Sequence, residues 1–113
     1  MNFYKYQSLG NDFIVFDLLD APFVQTLRYI RQAQYQGERV RLLCDRRVGV
    51  GADGVLIIKK NLEHNLPEVF IFNADGSAAE VCFNGLRCII HYLHSKRDFP
   101  GKFDVIMGGR KIY

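Results

Sequence analysis

The chain has only three cysteines, Cys44, Cys82 and Cys88, and no close Cys-x-x-Cys pair. An odd, sparse set argues against a disulfide framework and for a reducing compartment, so a cytoplasmic setting is expected. The missing Cys-x-x-Cys pair removes the usual zinc spacing. Cys88 and His91 are three apart and can share a helix face, but Cys82 and Cys88 are six apart and point to different sides. No metal site is expected. No apolar run approaches the roughly 20 residues that a membrane span needs. The start, Met1-Asn2-Phe3-Tyr4-Lys5, lacks the charged-then-apolar layout of a signal peptide. No internal repeat, low-complexity tract or linker interrupts the 113 residues, so a single domain over residues 1–113 is expected.

Charge of one sign is also scarce. Fifteen Lys and Arg against twelve Asp and Glu leave a formal net charge of +3. The basic residues are spread along the chain, without the aromatic-interleaved stripe of a nucleic-acid binder, so no nucleic-acid partner is expected. What the chain does have is 49% hydrophobic and 13% aromatic residues, enough for a folded core.

Residues 2–7 and 13–17 are short and rich in Phe, Tyr, Val and Ile, which predicts a hairpin across a five-residue loop, Ser8 to Asp12. Asn11 in that loop is either turn chemistry or a side chain aimed at a ligand. A helix is predicted from about Asp20 to Tyr35, with Phe23, Leu27 and Ile30 inward, followed by Ala33 or Gln34, and an end at Gln36-Gly37. A second covers Glu38 to Arg46, with Val40, Leu43 and Cys44 inward. Gly49-x-Gly51-x-x-Gly54 has the letters of a dinucleotide fingerprint. Its context is wrong, because a helix precedes it and the buried strand Val55-Leu56-Ile57-Ile58 follows. In this loop Asp45 is expected to pair with Arg46, and Asp53 to cap or buttress it. Lys59 to Pro67 reads as an exposed loop, and Glu68 to Asn73 as a strand. A final hairpin joins Phe103–Ile106 to Arg110–Tyr113.

The stretch Asn73 to Cys88 organises the rest. A strand runs into it, a turn falls at Asp75-Gly76, and a helix starts near Cys82 and runs to about Lys96. A helix N-terminus offers unpaired N–H groups and a positive dipole end, which suits a carboxylate and favours the thiolate of a cysteine placed there. Cys82 is therefore the candidate acid/base thiol. Leu86, Cys88, Ile89, Ile90, Tyr92 and Leu93 cover most of the helix, so it is expected to be buried. Arg87, His91 and His94 then need an open edge or a partner. With so many short strands, an α+β fold follows: a curved, β-barrel-like sheet wrapped around one central helix.

Three stretches together resemble the N-terminal half of the diaminopimelate epimerase family. They are Ser8-Leu9-Gly10-Asn11-Asp12-Phe13, Cys44 through Gly54, and Phe72 through Ser77 followed by Cys82-Phe83-Asn84-Gly85-Leu86-Arg87-Cys88. The resemblance implies a β-barrel around a central helix in each of two pseudo-symmetric domains, the second being absent here. It implies an isomerase of lysine and cell-wall precursor synthesis that interconverts LL- and meso-diaminopimelate without a cofactor. One cysteine thiolate removes the α-proton, and a second thiol delivers one to the opposite face. By the same resemblance Cys82 is catalytic. Backbone N–H groups of Phe83 and Asn84 bind the α-carboxylate, and Asn11 and Asn73 bind substrate. The position of Gly54 holds a substrate-contacting glutamine in some members. Two departures stand out. Phe83 replaces the first glycine of the family's Cys-Gly-Asn-Gly, which is expected either to crowd the carboxylate or to strain the backbone. No second Cys-Gly-x-Gly motif exists to supply the opposing thiol, so a missing second domain or a homo-oligomer partner is expected to complete the site. Two alternatives stay open: a non-catalytic half-domain that binds a carboxylate ligand or a partner protein, and a related amino-acid racemase or epimerase.

Overall fold

The computed structural model describes residues 3–35, 37–79 and 82–112. The first hairpin pairs β1 (Tyr4–Ser8) with β2 (Asn11–Asp17). Its turn is only Leu9-Gly10, both at positive φ, 51° and 88°. Two consecutive left-handed residues match the twist of the flanking strands. The expected five-residue loop is thus a two-residue turn, and Asn11 opens β2 opposite Ser8 rather than standing at a loop tip.

Two helices follow, α1 (Phe23–Tyr35) and α2 (Gly37–Cys44). Among the described side chains of α1, Thr26 and Ile30 are buried and Tyr29 is partly buried, whereas Leu27 is exposed. Ile30 thus faces inward as expected, and Leu27 does not. Val40 and Cys44 of α2 are buried, and Leu43 packs against them as expected. The chain continues into β3 (Gly54–Asn61), β4 (Leu66–Asn73) and the short β5 (Ala78–Ala79), which pairs with β4. The expected loop from Lys59 to Pro67 is instead mostly strand. The β3–β4 ladder runs out to Asn61↔Leu66, with Lys59 and Glu68 paired at 3.2 Å across it. Then come α3 (Phe83–Arg97), β6 (Val105–Met107) and β7 (Arg110–Ile112), the last two joined across Gly108-Gly109. Asn2, Gln36, Glu80, Val81, Tyr113 and the side chains of Phe23, Ala33 and Gln34 lie outside the described residues, and with them the inward placement expected for Phe23 and the helix end expected at Gln36.

Among the described residues seven strands form one mixed sheet, six of them in the order β1-β2-β3-β4-β6-β7 and β5 paired to β4 off this path, and the sheet is not closed. β2 runs parallel to β3, and β4 parallel to β6. Each parallel pair needs a crossover, supplied by α1 and α2 in the first case and α3 in the second. Both crossovers step the same way across the sheet, along strands of opposite direction. A common right-handedness therefore sends them to opposite faces. The side chains divide accordingly. Leu56 and Ile58 of β3 pack with Leu86, Ile89 and Leu93 of α3. Their neighbours Val55 and Ile57 pack with Ile30, Val40 and Cys44.

The sheet curls around α3 from both flanks. Tyr4 and Tyr6 of β1 lie against Tyr92, at ring separations of 5.2 and 5.6 Å, and Val105 and Met107 of β6 close the other side. The α+β fold with a curved sheet around a central helix is as expected, although the sheet does not close. The second face, covered by α1 and α2, is an addition. No helix among the described residues is long and apolar enough to cross a membrane.

Candidate functional site

The helix α3 begins at Cys82. This residue is its N-cap, in extended backbone (φ −146°, ψ 114°), and its Sγ accepts a hydrogen bond from the Gly85 amide at 3.4 Å. Ser, Thr, Asp and Asn are the usual caps. Helix stability alone would not select a thiol at this position. The first amides of a helix have no acceptor within it. With the third spent on sulfur, those of Phe83 and Asn84 remain to receive an anion, at the positive end of the helix dipole. Gly85 packs closely: a Cβ there would press on Leu56 Cδ2 at 3.2 Å and meet Cys82 Sγ at an ordinary contact distance of 3.6 Å.

Phe83 is the first residue of α3, and it is 72% exposed. It is not among the residues with positive φ. The expected backbone strain is therefore absent, because the position is ordinary helix and does not demand glycine.

The sheet brings Asn11 and Asn84 together. Asn84 Nδ2 donates to Asn11 Oδ1 at 2.5 Å, tying the first turn of α3 to the start of β2. Asn73, by contrast, closes β4 on its own turn. Its Nδ2 donates to Ser77 Oγ at 3.0 Å, and its amide to the Ser77 carbonyl at 2.8 Å. Asp75 accepts from the Ser77 amide and hydroxyl, which holds its carboxyl below the usual range. Gly54, the first residue of β3, stands opposite both Phe13 and Asn73. A Cβ on it would lie 2.7 Å from the Phe72 carbonyl oxygen and 3.1 Å from the Phe13 ring. A glutamine there would require the backbone of β4 to move, so in this chain Gly54 offers backbone alone.

The loop between α2 and β3 is fixed differently from the expectation. Asp45 does not pair with Arg46. It accepts the amides of Arg47 and Val48 at 2.7 and 3.1 Å, closing its own turn. Arg46 instead donates to Asp12, at 2.7 and 3.2 Å, and lies 3.5 Å from Asp53 Oδ1. Lys5 adds a hydrogen bond to Asp12 at 2.8 Å. The Arg46 guanidinium, helped by Lys5, holds the Asp12 carboxyl well below the usual carboxylate range despite some burial. This network was missed because it depends on the parallel pairing of β2 with β3. That register sets Asp12 beside Asp53, and no local pattern announces it. Asp53 does buttress the loop, accepting the Asp12 amide at 3.0 Å.

The other two thiols are buried, whereas Cys82 is partly exposed. Burial pushes the Cys88 thiol up to about 11, with nearby Cys82 adding to the effect, and also raises Cys44. Neither is placed for acid/base work. His91 stacks edge-on against Tyr6 at 5.4 Å, and His94 Nδ1 is 3.1 Å from the Phe99 carbonyl. Among the described residues no three His, Cys, Asp or Glu side chains are grouped to hold a metal ion.

The fold and this helix end define an α+β domain that presents one partly exposed thiol, two backbone amides without a partner among the described residues and a pair of linked asparagine amides at a single end of its sheet. The chain belongs to the diaminopimelate epimerase family, whose model matches residues 3–111. It is 38% identical over 101 residues to the diaminopimelate epimerase of Prochlorococcus marinus (strain NATL1A), covering 86% of this chain and 32% of that protein. It is 42% identical over 102 residues to that of Synechococcus sp. (strain JA-2-3B'a(2-13)), covering 90% and 32%. It is 41% identical over 108 residues to that of Hydrogenobaculum sp. (strain Y04AAS1), covering 92% and 38%. The chain thus spans about a third of the length of these curated relatives.

Proposed function

We propose that this chain is the N-terminal half of a cofactor-independent diaminopimelate epimerase site in lysine biosynthesis, and that it supplies one of two thiols. The observation that carries the reading is Cys82 at the N-cap of α3, with the amides of Phe83 and Asn84 unpaired within the helix beside it. The Cys82 thiolate removes the proton from the α-carbon of the amino acid. The two amides hold the α-carboxylate and take up the charge that develops as the carbanion forms. Asn11 and Asn73 contribute binding contacts. The opposing thiol, which reprotonates the other face, comes from a second domain or a second chain. Phe83, in place of the family's glycine, still carries the backbone amide that this step uses.

The test is exchange of the α-proton of LL-diaminopimelate in deuterated water. The expected result is solvent deuterium at the α-carbon with retained configuration, because one thiol serves only one face. Exchange should vanish in Cys82→Ala. Exchange that persists in that variant removes Cys82 from the mechanism, and no exchange by the wild-type chain counts against the reading.

A further inference from the structure

Asp53 immediately precedes β3, and the register Phe13↔Gly54 sets it beside Asp12. The two residues clasp one another. The Asp53 amide donates to the Asp12 carbonyl at 2.8 Å and to Asp12 Oδ1 at 3.1 Å, while the Asp12 amide donates to Asp53 Oδ2 at 3.0 Å. Arg46 stands 3.5 Å from the other oxygen of Asp53. The carboxylate is thus held in place, and its Oδ2 also accepts from Asn11 Nδ2 at 3.3 Å.

An ionised carboxylate can only accept hydrogen bonds. Asn11 must therefore turn its nitrogen towards Asp53 and its oxygen away. That oxygen is the one that accepts Asn84 Nδ2, so the orientation of Asn84 follows from that of Asn11. Each primary amide keeps a second N–H beyond these bonds. We propose that Asp53 is a positioning residue: it sets the orientation of the Asn11 and Asn84 amides at the N-terminus of α3, so that both offer N–H donors to an anionic group of an amino-acid substrate. This rests on the function proposed above. An asparagine at position 53 would keep an oxygen on the Asp12 amide and so still accept from Asn11, whereas an alanine has nothing to accept with and leaves both amides free to flip.

The test reads the side-chain amide signals of Asn11 and Asn84 in proton–nitrogen correlation spectra of Asp53→Ala. The side chain of Asn61, which donates to Glu68 at 3.0 Å, serves as the internal reference. Asn11 and Asn84 should shift or double together while Asn61 stays. Should Asp53→Ala fail to fold, Asn84→Ala in the wild-type background must shift the Asn11 side-chain signals and leave the Asp12 backbone amide in place. In the exchange assay Asp53→Ala should lose up to about a hundredfold in rate, the scale of a group misplaced by about 1 Å. Unmoved asparagine signals overturn the positioning role. Shifted signals with undiminished exchange overturn its link to the reaction. Absence of exchange in the wild-type chain overturns the proposed function instead, and the spectra still decide whether Asp53 orients the two amides.

Discussion

Arg97 Nε donates to Asp17 Oδ2 at 2.7 Å, joining the last turn of α3 to the end of β2. Tyr92 donates to the same oxygen, and the Leu19 amide to the other at 3.0 Å. The Asp17 side chain is only 8% exposed. Burial alone would raise its pKa, but the bonds from Arg97, Tyr92 and Leu19 outweigh that and hold the carboxyl below its usual value. A carboxyl lowered in the folded state contributes stability that is present above the unfolded value of about 4 and is lost as pH falls through the folded value. Thermal unfolding should therefore show a loss of stability below about pH 4 that is smaller in Asp17→Asn. At neutral pH that variant should be less stable by about 1–3 kcal/mol, the cost of removing a buried charged acceptor. A variant with an unchanged melting temperature and an unchanged acid limb would refute this.

The Asp75-Gly76 turn meets the start of α2. Gly76 has φ +92°, and a Cβ on it would run into the backbone carbonyl of Gly37. Gly101 has nothing within 4 Å of its would-be Cβ. Gly76→Ala should therefore cost about 1–3 kcal/mol in urea unfolding, from an unfavourable backbone angle and a forced backbone shift. Gly101→Ala should stay within about 0.5 kcal/mol of the parent. Equal effects from the two substitutions would contradict the close approach of the two backbones.

The start of α3 at Cys82 was legible in the sequence, because a strand, a turn and a dense apolar helix follow one another over thirty-odd residues of local pattern. So were Cys44 and Cys88 as core thiols. The short first turn was not legible, since Leu9 adopts a left-handed backbone that leucine rarely takes. Nor was the extension of β3 and β4 through Lys59, Lys60 and Pro67, where polar letters mask a ladder at the sheet's end. The placement of Asp53 against Asn11 was invisible for a deeper reason. It follows from a parallel pairing between strands separated by two helices, and local propensity carries no register across such a crossover.

Phe83 tests whether a departure from the family's glycine matters to folding. Its ring is mostly in solvent and its backbone is ordinary helix, so it contributes little packing. Phe83→Gly should change stability by less than about 1 kcal/mol, the usual cost of glycine in a helix and less at its first position. If the exposed ring crowds the helix end, the same variant should bind a small carboxylate more tightly, as read by titration calorimetry. A stability loss of several kcal/mol would mean that the ring is packed after all.

The three thiols should separate cleanly by reactivity. A thiol must be reached and must ionise before it can be alkylated. Cys44 and Cys88 are buried, and burial raises both, Cys88 to about 11. Cys82 is the partly exposed one, at a helix end with amides directed outwards. Iodoacetamide at neutral pH on the folded chain should therefore add one carbamidomethyl group, located at Cys82 by mass spectrometry of its peptide. Denaturant should raise the count to three. Labelling should slow when a small carboxylate competes for the amides beside the sulfur, because alkylation and anion binding would then use the same helix end. Equal labelling of Cys88 in the folded chain would mean that α3 opens readily, and the thiol at its cap would then lack the rigid mount that proton transfer to a fixed α-carbon requires.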